Sequence, residues 1–377
     1  MARIKIDRNL YYDDQRGKYY VSLYYGVDPV TGKRIKKNKT FPNKKDAKKA
    51  LTRHEADYNE GKTVLPQDLT LEEWLDRWMK TVIEVNREET TIYAYRNIVK
   101  HIKESIGEVL LQKLSPSQIQ KYYAGLVTEK NLSTNTVRKH HDLLNSTLKF
   151  AVKQEILVKN PVDKVEVPKF KAPEIAYYNR EQFTKLLELS KGDRIELLIH
   201  LAGMLGLRRE EILGLTWDCI DFSEKKLEIR KVRTQAGNAM VKKAPKTQSS
   251  RRKLHIPDKI LKLLEEERIK QEQYKEVFGC DYDDQGLVIV WEDGSPMRPN
   301  YASDLFKKFI EDNQLPYITL HGLRHSFATI ANDSGQQLYN IGKALGHSNT
   351  ATTSKIYTHL LDHGHEEMME SLWGEGS

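Results

Sequence analysis

Cysteine is nearly absent from this chain: Cys219 and Cys280 are the only two in 377 residues. That leaves no disulfide framework and no cysteine-based zinc site. No stretch approaches the ~18 apolar residues of a membrane span. The first ten residues, MARIKIDRNL, are polar and lack the apolar stretch of a secretory signal. Long internal repeats and low-complexity tracts are missing as well. These absences exclude a disulfide-stapled secreted protein and a membrane protein, and the expectation is a cytoplasmic one. What is present fits a soluble globular chain of two or three domains, with 39% hydrophobic and 30% charged residues.

Basic residues are concentrated at one end. Residues 1–62 hold 16 Lys and Arg against 8 Asp and Glu, an excess of 8 that equals the net charge of the whole chain. A basic block of this kind is either a polyanion-binding surface or a solvated tail. Strand and turn signals argue that it folds. Residues 19–25 are aromatic and β-branched, as strands prefer. Asp28-Pro29-Val30-Thr31-Gly32 is a turn. Residues 33–41 alternate cations with smaller residues, and residues 44–58 read as a helix with Ala47, Ala50, Leu51 and His54 along one face. A small sheet with one helix follows, its strands basic and aromatic, which suits contact with a DNA groove or backbone.

Residues 63–68, with Pro66, form a short linker, and the second segment, 69–163, is helical. Leu71, Trp74, Leu75, Trp78, Met79 and Val82 recur at helical spacing. Thr70 with Glu73 makes a capping box. A second helix runs from about Thr91 to Ile106 and stops at Gly107. Ser115-Pro116-Ser117-Gln118 opens a third. Ser133 opens a fourth, with Val137, Leu144, Leu148 and Val152 in a stripe. The aromatics and leucines of this four-helix module read as core. Residues 165–173, VEVPKFKAP, hold two prolines and no helical period, and read as an extended second linker.

The third segment, 174–377, carries four patterns, each weak alone. In the first, Gly206 breaks a leucine-rich helix and Arg208 opens the next. An arginine at a helix start adds to the positive end of the dipole and suits a phosphate, with Glu211 holding the guanidinium; on this pattern alone, a surface Arg–Glu pair is the plainer reading. The second is an alternating run, 225–232, a turn at Ala236-Gly237-Asn238, and then Lys246-Thr247-Gln248-Ser249-Ser250-Arg251-Arg252. It reads as a hairpin or small sheet with lysines near its tip, either reaching a groove or merely solvated. The third is Leu320-His321-Gly322-Leu323-Arg324-His325. His321 and Arg324 share a helical face, where imidazole and guanidinium can contact one phosphate. His321 and His325 also have zinc-ligand spacing, but Gly322 stands where a zinc protease has Glu, so no metal is expected. In the fourth, Gly346 ends a helix before His347, and Tyr357 follows ten residues later.

Taken together, these residues resemble the tyrosine recombinase family, specifically the integrases of temperate phages and conjugative transposons. The order Arg, Lys, His-x-x-Arg, Leu-Gly-His, Tyr is matched by Arg208, Lys246, His321 with Arg324, His347 and Tyr357. Lys246 is chosen over Lys242, Lys243 and Lys253 because Lys-Thr-x-x-Ser-x-Arg matches the family's hairpin. The resemblance implies a multidomain, mainly α fold. Residues 1–62 would be a small β-sheet-plus-helix domain binding arm-type sites, 69–163 a four-helix core-binding domain, and 174–377 a mixed α+β, mostly α, catalytic domain.

The implied chemistry is metal-independent and needs no cofactor. Tyr357 would attack the scissile phosphate to form a 3′-phosphotyrosyl link. Arg208 and Arg324 would hold the non-bridging oxygens, and Lys246 would protonate the leaving 5′-oxygen. His321 would assist proton transfer, and His347 would hydrogen-bond the phosphate. Glu211 would support the site, while His325 would be structural. The implied partners are double-stranded DNA at core and arm sites, three further copies in a DNA-bound homotetramer, and a DNA-bending or excision accessory protein. The patch of Met368, Met369, Leu372 and Trp373 would dock on a neighbouring subunit or fold back on its own domain. The implied place of action is the bacterial cytoplasm and nucleoid. A housekeeping recombinase that resolves chromosome or plasmid dimers is a rival reading, but such enzymes usually lack a basic arm-binding domain. A type IB topoisomerase would share the phosphotyrosine. A DNA-binding regulator would have no need of Tyr357.

Overall fold

The computed structural model describes residues 3–27, 31–170, 176–237, 239–243 and 251–346. The chain divides into two units, Met1–Ala172 and Pro173–Ser377.

The first unit opens with an antiparallel sheet in the order β1 (Arg3–Asp7), β2 (Leu10–Asp13), β3 (Lys18–Val27) and β4 (Arg34–Phe41). The register pairs Leu10 with Val21 and Tyr12 with Tyr19, and Leu10, Val21 and Leu23 pack with Ala47 and Leu51 of α1 (Lys44–Asn59). Period-two alternation then puts Tyr11, Tyr20 and Thr40, one row across three strands, on the other face. The aromatic and cationic runs of the sequence are β3 and β4. The sequence reading did not give β1 and β2. They are short and carry Arg3, Lys5, Asp7 and Asp13, and their strand character comes from pairing, β1 with β2 and β2 with β3, rather than from local preference. The residues Asp28, Pro29 and Val30 of the expected turn lie outside the described residues.

The rest of the unit is helical: α2 (Leu71–Trp78), α3 (Glu84–Asn86), α4 (Glu89–Ile106), α5 (Pro116–Thr128) and α6 (Thr134–Lys153). The caps read from sequence are in place. Thr70 and Glu73 bond reciprocally, as do Ser115 and Gln118, and the Ser133 hydroxyl accepts from the Thr136 N–H. One difference is informative. The apolar repeat through Val82 predicts a single helix, but the chain leaves α geometry after Trp78 and runs as a π-helical turn over Met79–Ile83. The wider turn keeps both Met79 and Ile83 buried. The Trp74 indole, 1% exposed, donates to the Thr147 carbonyl at 3.2 Å and ties α2 to α6. The Tyr122 hydroxyl lies 2.7 Å from His140 Nδ1 across α5 and α6. Burial pulls that imidazole down to about 4, so it packs as a neutral ring.

The second unit contains α7 (Arg180–Leu189), α8 (Glu196–Met204), α9 (Arg209–Ile212), β5 (Ile220–Asp221), β6 (Lys226–Glu228), β7 (Val232–Ala236), β8 (Ala239–Lys243), β9 (Lys253–His255), α10 (Asp258–Phe278), α11 (Pro299–Asp312), α12 (Leu320–Asp333) and α13 (Leu338–Leu345). Its core gathers around α8, where Leu197, Leu198, Ile199, Leu201 and Ala202 are all buried. A helix apolar on every side belongs at the centre of its domain. The alternating run 225–232 does not form one hairpin arm. It is shared between a three-stranded sheet, β5-β6-β9, and the separate β7-β8 hairpin. Among the described residues, no helix is long and apolar enough to cross a membrane.

Candidate active site

After α8 the chain reverses at Gly206, whose φ is +62°. A Cβ here would meet Leu345 Cδ2 at 2.7 Å and Phe327 Cδ1 at 2.8 Å, so both conformation and space call for glycine. Arg208 then caps α9, which Ile212, Leu213 and Leu215 anchor from below. α9 is a single turn of four residues, too short for a macrodipole to draw a phosphate to Arg208. Glu211 does the positioning. Its carboxylate accepts from Arg208 Nη1 at 2.8 Å and from the Arg208 backbone N–H at 2.9 Å. Burial pushes the Glu211 carboxyl pKa up, but the hydrogen bond and charge of Arg252, joined by Arg208, outweigh it and hold the pKa below the ordinary range.

α12 begins at Thr319, whose hydroxyl accepts from the Gly322 N–H. The sequence puts His321 and Arg324 on one face, and the structure gives them different depths. His321 is exposed. Arg324 is 2% exposed and runs inward, donating from Nη1 to the Gly206 carbonyl and from Nη2 to the Leu345 carbonyl, each at 2.5 Å. One guanidinium thus joins the turn that precedes Arg208 to the end of α13. Although His321 is accessible, the protein packed around its ring, then the charges of Arg324 and Arg208, hold its pKa below the ordinary imidazole value. Arg324 bonds the Gly206 carbonyl, two residues from Arg208, and His321 precedes it by one turn of α12. The His321 ring stands edge-on to His325 at 4.8 Å, and His325 is buried, in keeping with a structural part.

α13 ends at Gly346, with φ +67°, as the sequence indicated. Lys246, His347 and Tyr357 lie outside the described residues, as do Asn238 and the apolar patch at Met368, Met369, Leu372 and Trp373. The structure therefore brings together Arg208, His321 and Arg324 of the six expected site residues. It also shows a residue the sequence reading passed over. Arg252 is the last residue of the Lys-Thr-x-x-Ser-x-Arg motif, and it forms a two-pronged bond to Glu211. Its place in that motif was the available signal. Beside His321 opens a 480 Å³ cleft lined in part by Arg209, Glu210, Ser303, Lys307 and Thr319. Among the described residues, no group of three or more His, Cys, Asp or Glu is placed to hold a metal ion.

The crowding at Gly206 makes a direct prediction. Gly206→Ala should lower thermal stability by more than the ~1 kcal/mol of a simple glycine-to-alanine conformational mismatch, because the methyl must also displace Leu345 or Phe327. Thermal unfolding beside Gly192→Ala, a positive-φ glycine with nothing within 4 Å, separates the two effects.

Comparison with known proteins decides the family. Residues 177–363 match the Phage integrase family, residues 70–127 the N-terminal SAM-like domain of phage integrases, and residues 9–58 the Arm DNA-binding domain. A "Tyrosine recombinase XerC-like" protein of Caldanaerobacter subterraneus subsp. tengcongensis is 30% identical, over 94% of this chain and 95% of its own. The chain belongs to the phage integrase family. It is a tyrosine-type site-specific DNA recombinase, and its relatives include the ICEBs1 integrase of Bacillus subtilis, 27% identical over 95% of this chain and 97% of that protein. In fold it resembles the Tn1549 transposon integrase solved in complex with transposon right end DNA. The TM-score is 0.69 at 20% identity, covering 81% of this chain and 99% of the other.

Proposed function

We propose that this recombinase is the integrase of a mobile genetic element, inserting and excising it through a 3′-phosphotyrosyl intermediate at Tyr357. The observation that carries the reading is the bond from Arg324 to the Gly206 carbonyl, two residues before Arg208, with His321 one turn before Arg324 on α12. Two cations and an uncharged imidazole suit a phosphodiester whose oxygens gain charge as it is attacked. Arg208, pinned by Glu211 but with 31% of its side chain open, is set to grip one non-bridging oxygen. Arg324 fixes the backbone on either side of the site and adds its charge from beneath. His321, neutral near pH 7, can accept or relay a proton. Lys246 is assigned to protonation of the 5′-oxygen, His347 to a hydrogen bond with the phosphate, and Tyr357 to the attack. The phosphotyrosine keeps the energy of the broken bond, so a 5′-hydroxyl of the partner strand reverses the step without ATP.

Two duplexes exchange four strands in all, and one tyrosine per strand gives a tetramer on DNA. The 1–62 segment is assigned to arm-type sites, the 69–163 helices to the core site, and 174–377 to chemistry. In the first of these, the sheet face turned away from α1, which bears Tyr11 and Thr40, is assigned to the groove. A DNA-bending or excision accessory protein completes the assembly, and the site of action is the bacterial cytoplasm at the nucleoid.

The XerC-like name of one relative supports a second reading, resolution of chromosome or plasmid dimers. The Arm DNA-binding match over residues 9–58 favours the element. A recombination assay separates the two. The circularised ends of the element and a target site should yield joined product, whereas resolution of two identical sites on one supercoiled plasmid, with no joining to a target, would favour dimer resolution. Relaxed plasmid with no joined product would point to topoisomerase chemistry.

A further inference from the structure

We propose that Arg252 is a positioning residue for strand cleavage, acting through Glu211 on Arg208. The inference rests on the recombinase reading above. Arg252 stands immediately before β9, six residues after Lys246. Its side chain is 7% exposed, and its guanidinium grips both carboxylate oxygens of Glu211, Nη1 to Oε1 and Nη2 to Oε2, each at 2.9 Å. The third direction of the fork is also used: Nε donates to the Ala344 carbonyl at 2.6 Å, three residues before His347. Glu211 is itself 2% exposed and carries Arg208 on the same two oxygens. One buried carboxylate therefore serves two guanidiniums, of which the deep one is locked on three sides and the shallow one points toward solvent.

The geometry points to orientation rather than to stability. A buried ion pair returns little net stability against an apolar pair of the same volume, so burying a charge here needs another reason. A two-pronged fork fixes the plane of the carboxylate it holds. With Arg252 in place, Glu211 cannot rotate, and Arg208 is held in one direction above it. With a lysine in its place, a single point charge remains. It satisfies Glu211 electrostatically, leaves the carboxylate free to turn, and cannot reach Ala344 in the same geometry.

The test is single-turnover cleavage of a duplex bearing the core site, at saturating protein, with Arg252→Lys and Arg252→Gln beside the unaltered protein. Both variants are expected to bind the duplex within about threefold of the original, while the cleavage rate falls about 100-fold, the size of effect an ångström-scale misplacement produces. Two modified substrates show which part has moved. A methylphosphonate at the scissile position removes the negative charge that Arg208 would neutralise, and should restore most of the variants' rate relative to the original protein. A 5′-bridging phosphorothiolate needs no protonation on leaving, and should not restore it. Cleavage by the variants at the original rate overturns the inference. Rescue by the phosphorothiolate alone also overturns it, since Arg252 would then act through Lys246. Loss of duplex binding or of cooperative unfolding in Arg252→Lys overturns it too, by making the residue a prop of the fold. If the unaltered protein forms no covalent adduct, the recombinase reading itself fails and takes the inference with it.

Discussion

Replacing Arg324 by alanine should abolish covalent capture of DNA while leaving duplex binding nearly intact. Loss of one preorganised cation from a transition-state site costs about 10²–10³ in rate. Here the loss is at the top of that range or beyond it, because the same side chain builds the site. Its two donors hold the carbonyls of Gly206 and Leu345, one on the turn before Arg208 and the other at the end of α13. Charge-assisted bonds of this kind contribute about 1.5–3 kcal/mol each, so the melting temperature should fall as well. Arg324→Lys should recover little, since a compact ammonium cannot span two carbonyls as a planar fork does. Duplex binding should persist because the 1–62 and 69–163 segments, assigned to arm and core sites, are unaltered. Gel-shift, denaturing-gel capture and thermal unfolding on the same three proteins check each part.

Glu211→Ala should give a loss of stability of the same order. It removes the carboxylate between two guanidiniums and leaves Arg252 buried without its counter-ion, which costs about 3–5 kcal/mol. For a unit of this size that corresponds to a fall of roughly 10 °C in Tm. Glu211 also makes stability depend on pH. Its folded pKa is depressed, so its contribution is present in full above the ordinary carboxylate pKa, about 4.3. That contribution is lost as pH falls through the lower folded value. Glu211→Gln should therefore be less stable at pH 7 and show a shallower loss between neutral and acid pH. Equal acid sensitivity in both proteins would count against the assignment.

These two predictions turn on contacts the sequence does not display. Local signals were legible. Thr70 with Glu73 and Ser115 with Gln118 marked their helices correctly because each cap spans three residues, and Gly346 marked the end of α13. Arg208 with Glu211 was readable for the same reason, one helical turn apart. The bond from Arg324 to Gly206 crosses 118 positions, and that from Arg252 to Ala344 crosses 92; no periodicity records them. The same limit explains β1 and β2, whose strand character comes from a neighbour. It also explains the π-helical turn at Met79–Ile83, which answers to packing rather than to spacing. The order of Arg208, Lys246, His321, Arg324, His347 and Tyr357 was legible as a family pattern, while the arginine network beneath it was not.

The central claim is that Tyr357 forms a covalent bond with DNA, without metal. A nicked duplex carrying the DNA that borders the protein's own gene, incubated with the purified chain in EDTA and run on a denaturing gel, tests it directly. The unaltered protein should form an adduct and Tyr357→Phe none, both proteins binding the duplex equally. Bound duplex with no adduct from either, or an adduct that survives Tyr357→Phe, would contradict it.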